Sequence, residues 1–155
     1  MSKLVSVFVF CAALTFKLAA ELPVKHYLDQ ATVRTMVKAA QAEALRRNVH
    51  VTLCVVDDSG NLLYLEKGDG ASLNTIQFAQ RKARHAAAYG SPSKNAQDAV
   101  RSGKADLLLL PDYFPNQGGL PIKLNGELLG GIAASGASSD VDEAIAQTGL
   151  DALAK

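Results

Sequence analysis

The chain has 155 residues, with 16 Lys and Arg against 15 Asp and Glu, two Cys and no Trp. Charge this close to balance leaves no electrostatic footprint for nucleic acid or an anionic membrane surface. Two cysteines make no disulfide framework, and the length suits one domain that must stand on its own hydrophobic core.

Residues 1–20 have the layout of a secretory signal. Basic Met1-Ser2-Lys3 leads into an apolar run over 4–16, and small residues Ala19 and Ala20 precede Glu21. As a helix that run would rise roughly 20 Å, short of the hydrocarbon thickness of about 30 Å. Cleavage is expected after Ala20, leaving a single domain over 21–155 with no stable membrane insertion. Removing 1–20 takes away Lys3 and Lys17 and no acids, so 14 basic and 15 acidic residues remain. Cys11 leaves with the signal. Cys54 then has no partner, and in an apolar strand it is expected to pack as a small hydrophobe.

Residues 22–27 form a short arm that carries His26 and Tyr27. Asp29 is an expected N-cap for an amphipathic helix over 30–47, with Val33, Met36, Val37, Ala40 and Ala44 at helical spacing. Asn48 suits the helix end because it tolerates the left-handed conformation. Residues 49–56 read as a strand, the turn Asp57-Asp58-Ser59-Gly60-Asn61 follows, and 62–67 read as the returning strand. Gly68-Asp69-Gly70 breaks the chain, and Ser72 or Asn74 is expected to cap a helix ending near Tyr89, stopped by Gly90-Ser91-Pro92. A short helix is expected over 95–102 and a brief apolar strand or turn over 107–110. Gly118-Gly119-Leu120-Pro121-Ile122 opens a strand, and Asn125-Gly126 is a hairpin turn. A strand over 127–135 and a final helix from Asp140 complete the chain. The order is helix, hairpin, helix, hairpin, helix, which predicts an α+β fold with a mainly antiparallel sheet.

Four segments in this order carry a family resemblance: 49–57 (VHVTLCVVD), 80–90 (QRKARHAAAYG), 118–122 (GGLPI) and 125–137 (NGELLGGIAASGA), the last followed by Asp140, Asp142, Glu143 and Ala146. Together they resemble the GlcG/HbpS-like haem-binding, so-called haem-degrading family, which also supplies the C-terminal domain of PduO-type proteins. The resemblance spans residues 28–153. It implies a profilin-like fold with an antiparallel sheet of about five strands flanked by helices, a homo-oligomer, and haem or a related tetrapyrrole as cofactor. Most chains of this type lack a signal, so the segment 1–20 implies a periplasmic or secreted version.

His26, His50 and His85 are the only histidines, and His is the leading axial ligand of haem iron. His26 sits on the arm, either solvated or placed to reach a surface-bound haem, with Tyr27 as a second iron donor. His50 is expected to be a partly buried residue at a strand start. Lys82, His85 and Tyr89 fall on one face of the second helix, extended by Phe78 and flanked by Arg81 and Arg84. That face suits either an apolar macrocycle with anionic propionates or an ordinary solvated or subunit-facing surface. Gly118 and Gly119 have a conformational explanation at a strand start, or would line a small-anion pocket with Lys82 and Arg81. Asp140 and Glu143, one helical turn apart, either cap a helix or flank an iron. The chain holds no HExxH, no CxxC and no nucleophile elbow around Ser135. The resemblance, with the export signal and the His85 face, implies a protein that sequesters or senses haem, with a small hydroxy-acid or carboxylate metabolite as the alternative ligand.

Overall fold

The structure, a computed structural model, describes residues 24–153; the expected signal segment lies outside them. Helix α1 (Gln30–Arg46) begins where Asp29 accepts a hydrogen bond from the Thr32 N–H at 2.7 Å. It ends into Asn48, whose φ of 53° is the left-handed value expected of it. Strands β1 (Thr52–Asp57) and β2 (Leu62–Lys67) form the first hairpin. Helices α2 (Thr75–Tyr89) and α3 (Ser93–Arg101) follow, then a 3₁₀ turn (Ala105–Leu109). Strands β3 (Gly119–Leu124) and β4 (Glu127–Ser135) form the second hairpin, and α4 (Ser139–Asp151) closes the fold.

Among the described residues the sheet has four strands in the order β2-β1-β4-β3, every neighbouring pair antiparallel. The resemblance implied about five strands; of the two readings of 107–110, strand or turn, the turn holds, since residues 105–109 form a 3₁₀ helix with no buried side chain. Leu108, Leu109 and Leu110 remain exposed. The α2 N-cap position, Asn74, makes no side-chain cap, and Thr75 Oγ1 donates to the Ser72 carbonyl instead. His50 lies outside β1 and is exposed, since the ladder begins only at Thr52.

The two sheet faces differ in how closely they are covered. On one side α1 and α4 pack Met36, Val37, Ala40 and Ile145 against Leu53, Val55, Leu120, Ile122 and Ile132. On the other, α2 lays Ala79, Ala83 and Ala87 on Cys54, Val56 and Ala133. Alanines hold the α2 backbone so close that a methyl group added at Gly131 would stand 2.2 Å from the Ala83 carbonyl oxygen. One added at Gly119 would stand 2.3 Å from that of Lys82. These two glycines set the height at which α2, and every side chain it carries, sits above the sheet. Cys54, buried in that layer, has its thiol pushed up to about 12 by desolvation.

Candidate functional site

Close packing of α2 turns the face predicted for a ligand inward. Lys82 and His85 are each 1% exposed, while Tyr89 keeps an exposed edge. The Phe114 N–H donates to His85 Nδ1 at 3.1 Å, which makes the neutral ring the tautomer with hydrogen on Nε2. Burial pushes the His85 pKa down. The ring stacks on Tyr89 at 4.8 Å between centroids and meets Tyr113 edge-on at 5.1 Å. His85 thus pins the loop through Phe114 to α2, and its only lone pair on nitrogen is occupied. Arg81 places its guanidinium 4.1 Å from the centre of the Phe114 ring, a cation–π contact that braces the same loop from outside.

Lys82 meets a partner sixty positions away. Its Nζ donates to Asp142 Oδ2 at 2.8 Å and to the Ala134 carbonyl at 3.2 Å. Burial pushes the Lys82 ammonium down and the Asp142 carboxyl up, each opposed by the charge of the other. The expected anion pocket at Gly118-Gly119 is altered by this arrangement: the Gly119 N–H donates to Ser93 Oγ at 2.9 Å, and Gly118 faces Lys82 and Asp142 closely. Asp140 is exposed, whereas one carboxylate oxygen of Glu143 is buried without a hydrogen-bond partner. No cluster of three or more metal-ligating side chains occurs among the described residues.

A larger opening lies elsewhere. A groove of about 780 Å³ runs beneath the N-terminal arm, lined by His26, Tyr27, Leu124, Leu129, Leu150 and Leu153, with Lys25 and Lys123 among its polar groups. The arm is held over it by three contacts. Leu28 is buried in the core, Lys25 Nζ lies 2.7 Å from Asp58, and His26 Nδ1 lies 2.6 Å from Glu127 Oε2. A carboxylate only accepts, so His26 carries its hydrogen on Nδ1 when neutral, which leaves the Nε2 lone pair available. His26 is half-exposed, and Tyr27 beside it is largely exposed.

Residues 28–151 match the family described as haem degrading protein HbpS-like. The chain belongs to the HbpS-like family. It is 30% identical to the protein GlcG of Escherichia coli K12 over 111 residues, covering 72% of this chain and 83% of GlcG. Among solved structures it is similar to an HbpS double mutant of Streptomyces reticuli, with a TM-score of 0.80 and 27% identity over 99% of this chain and 98% of that one. It is also similar to PduOC crystallised as a haem complex, with a TM-score of 0.76 and 27% identity over 82% of this chain and 95% of that one. This HbpS-like domain accordingly has the α+β family fold read from its sequence.

Sequence reasoning named Lys82, His85, Tyr89, Arg81, His26, Gly118 and Gly119. The structure gathers the first three and the two glycines around α2 and sets His26 apart in the groove. Two partners escaped it, Glu127 for His26 and Asp142 for Lys82. Both lie in segments that carry the family resemblance, but separations of 101 and 60 positions leave no periodic trace.

Proposed function

We propose that this HbpS-like chain binds haem in the groove beneath its N-terminal arm, with His26 as the iron ligand. The observation that carries the reading is the His26–Glu127 pair at the lip of an apolar groove. A carboxylate on one ring nitrogen orients an imidazole and raises the basicity of the other, the arrangement found behind metal-bound histidines. The groove volume lies within the range of roughly 300–1,000 Å³ typical of small-molecule sites. Its leucines suit an apolar macrocycle, and exposed Lys123 suits a propionate. Haem bound there would supply a redox-active iron and a Soret band. Tyr27 stands next to His26 as an alternative donor. His85 is the weaker candidate, because coordination through Nδ1 would break its hydrogen bond to the Phe114 amide.

A sequestering or sensing role outside the cytoplasm is supported by the signal-like segment 1–20. Assembly of several copies is supported by the exposed leucines at 108–110. The deciding experiment is titration of the mature chain with hemin, followed at the Soret band. Saturable binding is expected, with at least about tenfold weaker affinity in His26→Ala and little change in His85→Phe. No saturable shift, or a His26→Ala variant indistinguishable from wild type, would overturn the assignment.

A further inference from the structure

At the opposite end of β4 from the groove, a second cavity of about 280 Å³ opens between the first turns of α2 and α4. Its lining includes Asn74, Thr75, Asn116, Ser135 and Ser139, with Lys82 and Asp142 at its base. We infer that this cavity is a binding site for a small monocarboxylate, whose anionic group is held by Lys82 and Ser135.

Hydrogen-bond donors left over in this cavity point to an anion. The Lys82 ammonium has three hydrogens, and the Asp142 carboxylate and the Ala134 carbonyl accept from it. A third hydrogen has no acceptor among the described residues. Ser135 is only 5% exposed, yet its hydroxyl makes no hydrogen bond within the described residues. Across the ladder the contrast is direct: Thr52 pairs with Ser135 in register, and its own hydroxyl is satisfied by Thr75 Oγ1 at 2.7 Å. Ser135 lies two positions beyond Ala133, whose side chain faces α2, so its hydroxyl shares the α2 side with Lys82. The hydroxyl is not sealed off from solvent, so it can donate to a molecule that enters the cavity. One helix end adds to the same field: Asn74 makes no side-chain cap bond and the first turn of α2 holds no acid, so its positive end faces the cavity, whereas the first turn of α4 already carries Asp140 and Asp142.

Charge balance restricts the ligand further. Asp142 is already compensated, by Lys82 at Oδ2 and by the Ala137 N–H at Oδ1, 2.9 Å away. A monoanion adds one negative charge against the α2 end and a shared ammonium on which Glu143 also acts. A dianion such as sulfate or phosphate would bring a second charge beside a buried carboxylate that has no further cation. The volume, below that of most drug-sized sites, limits the ligand to a few carbons. Asn74 and Asn116 provide amide donors and acceptors for a polar substituent such as a hydroxyl.

The test is a heteronuclear NMR titration of the haem-free mature chain with acetate and lactate, with sulfate and phosphate in parallel. Saturable shifts of the amides at 135–139 are expected for the monocarboxylates, with sulfate and phosphate about tenfold weaker or worse. Ser135→Ala should keep the denaturation midpoint of wild type and lose about tenfold in carboxylate affinity, as should Asn116→Ala to a smaller degree. His26→Ala should bind carboxylate like wild type, so the outcome is separate from that of the haem titration. The inference is overturned if the monocarboxylates do not saturate, if Ser135→Ala binds them undiminished, or if sulfate and phosphate bind as well.

Discussion

Replacing Asp142 by Leu tests the polar junction between α2, β4 and α4. Both charges of the Lys82–Asp142 pair are about 2–3% exposed, so removing one strands the other in a medium that solvates it poorly. Breaking a buried pair in this way costs about 3–5 kcal/mol. The Ala137 N–H loses its acceptor as well, which adds about 1 kcal/mol. A total near 5 kcal/mol is a large share of the roughly 5–15 kcal/mol that holds a domain together, and lowers the melting temperature by about 15 °C. Removing both partners, as in Lys82→Met with Asp142→Leu, leaves no stranded charge and should bring stability back to within about 1 kcal/mol of wild type.

The pH dependence has a definite sign. In the single variant Lys82 keeps its burial and loses its counter-ion, so its folded pKa drops far below its unfolded value. The unfolded chain then holds the proton that the folded chain sheds, and stability rises with pH until it approaches the unfolded lysine pKa of about 10. The deficit relative to wild type should therefore shrink between neutral and alkaline pH. Urea unfolding followed by far-ultraviolet circular dichroism at several pH values measures both effects. A single variant within 1 kcal/mol of wild type, or a double variant worse than the single, would refute the reasoning.

Gly119→Ala places a methyl 2.3 Å from the Lys82 carbonyl oxygen, a backbone atom that moves only if α2 rises from the sheet. A loss of about 3 kcal/mol or more is expected in denaturant unfolding, together with reduced protection of the α2 amides in hydrogen exchange. Glu43 accepts from Arg46 and Arg47 at 2.6–2.8 Å, and these bonds hold its carboxyl down at about 2. A depressed folded pKa contributes stability above the unfolded carboxyl range that is lost as pH falls through about 2. Glu43→Gln should accordingly flatten the acid limb of the stability profile, and the difference should shrink in high salt because the cluster is at the surface.

Reading the chain singled out His26 and His85 without separating their surroundings. His26 and His85 look equally free as residue types, and Lys82, His85 and Tyr89 form a polar-aromatic stripe that reads as a surface. The stripe is buried because α2 has two working faces. Alanines at 79, 83 and 87 meet the sheet, and the adjacent face is covered by the loop through Tyr113 and Phe114. That loop has no periodicity, so its covering role left no sign in the sequence. The four leucines at 107–110 read equally as strand or turn, because composition does not say whether a sheet edge pairs with them; here none does, and 105–109 turn as a 3₁₀ helix.

Local chemistry determined much of this protein by itself. The Asp29 cap, the left-handed Asn48, the Asn125-Gly126 turn and the apolar spacing of α1 act over a few residues, so the order of helices and hairpins was readable. The same holds for the α+β class and the family resemblance. Tertiary structure alone decided which polar groups are paired. The His26–Glu127, Lys82–Asp142 and His85–Phe114 contacts join residues from 29 to 101 positions apart. Such pairs are set by the height of α2 above the sheet and the path of the arm. Those are properties of the packed whole, and they determine that His26 borders the apolar groove while Lys82 sits at the base of a smaller, polar cavity.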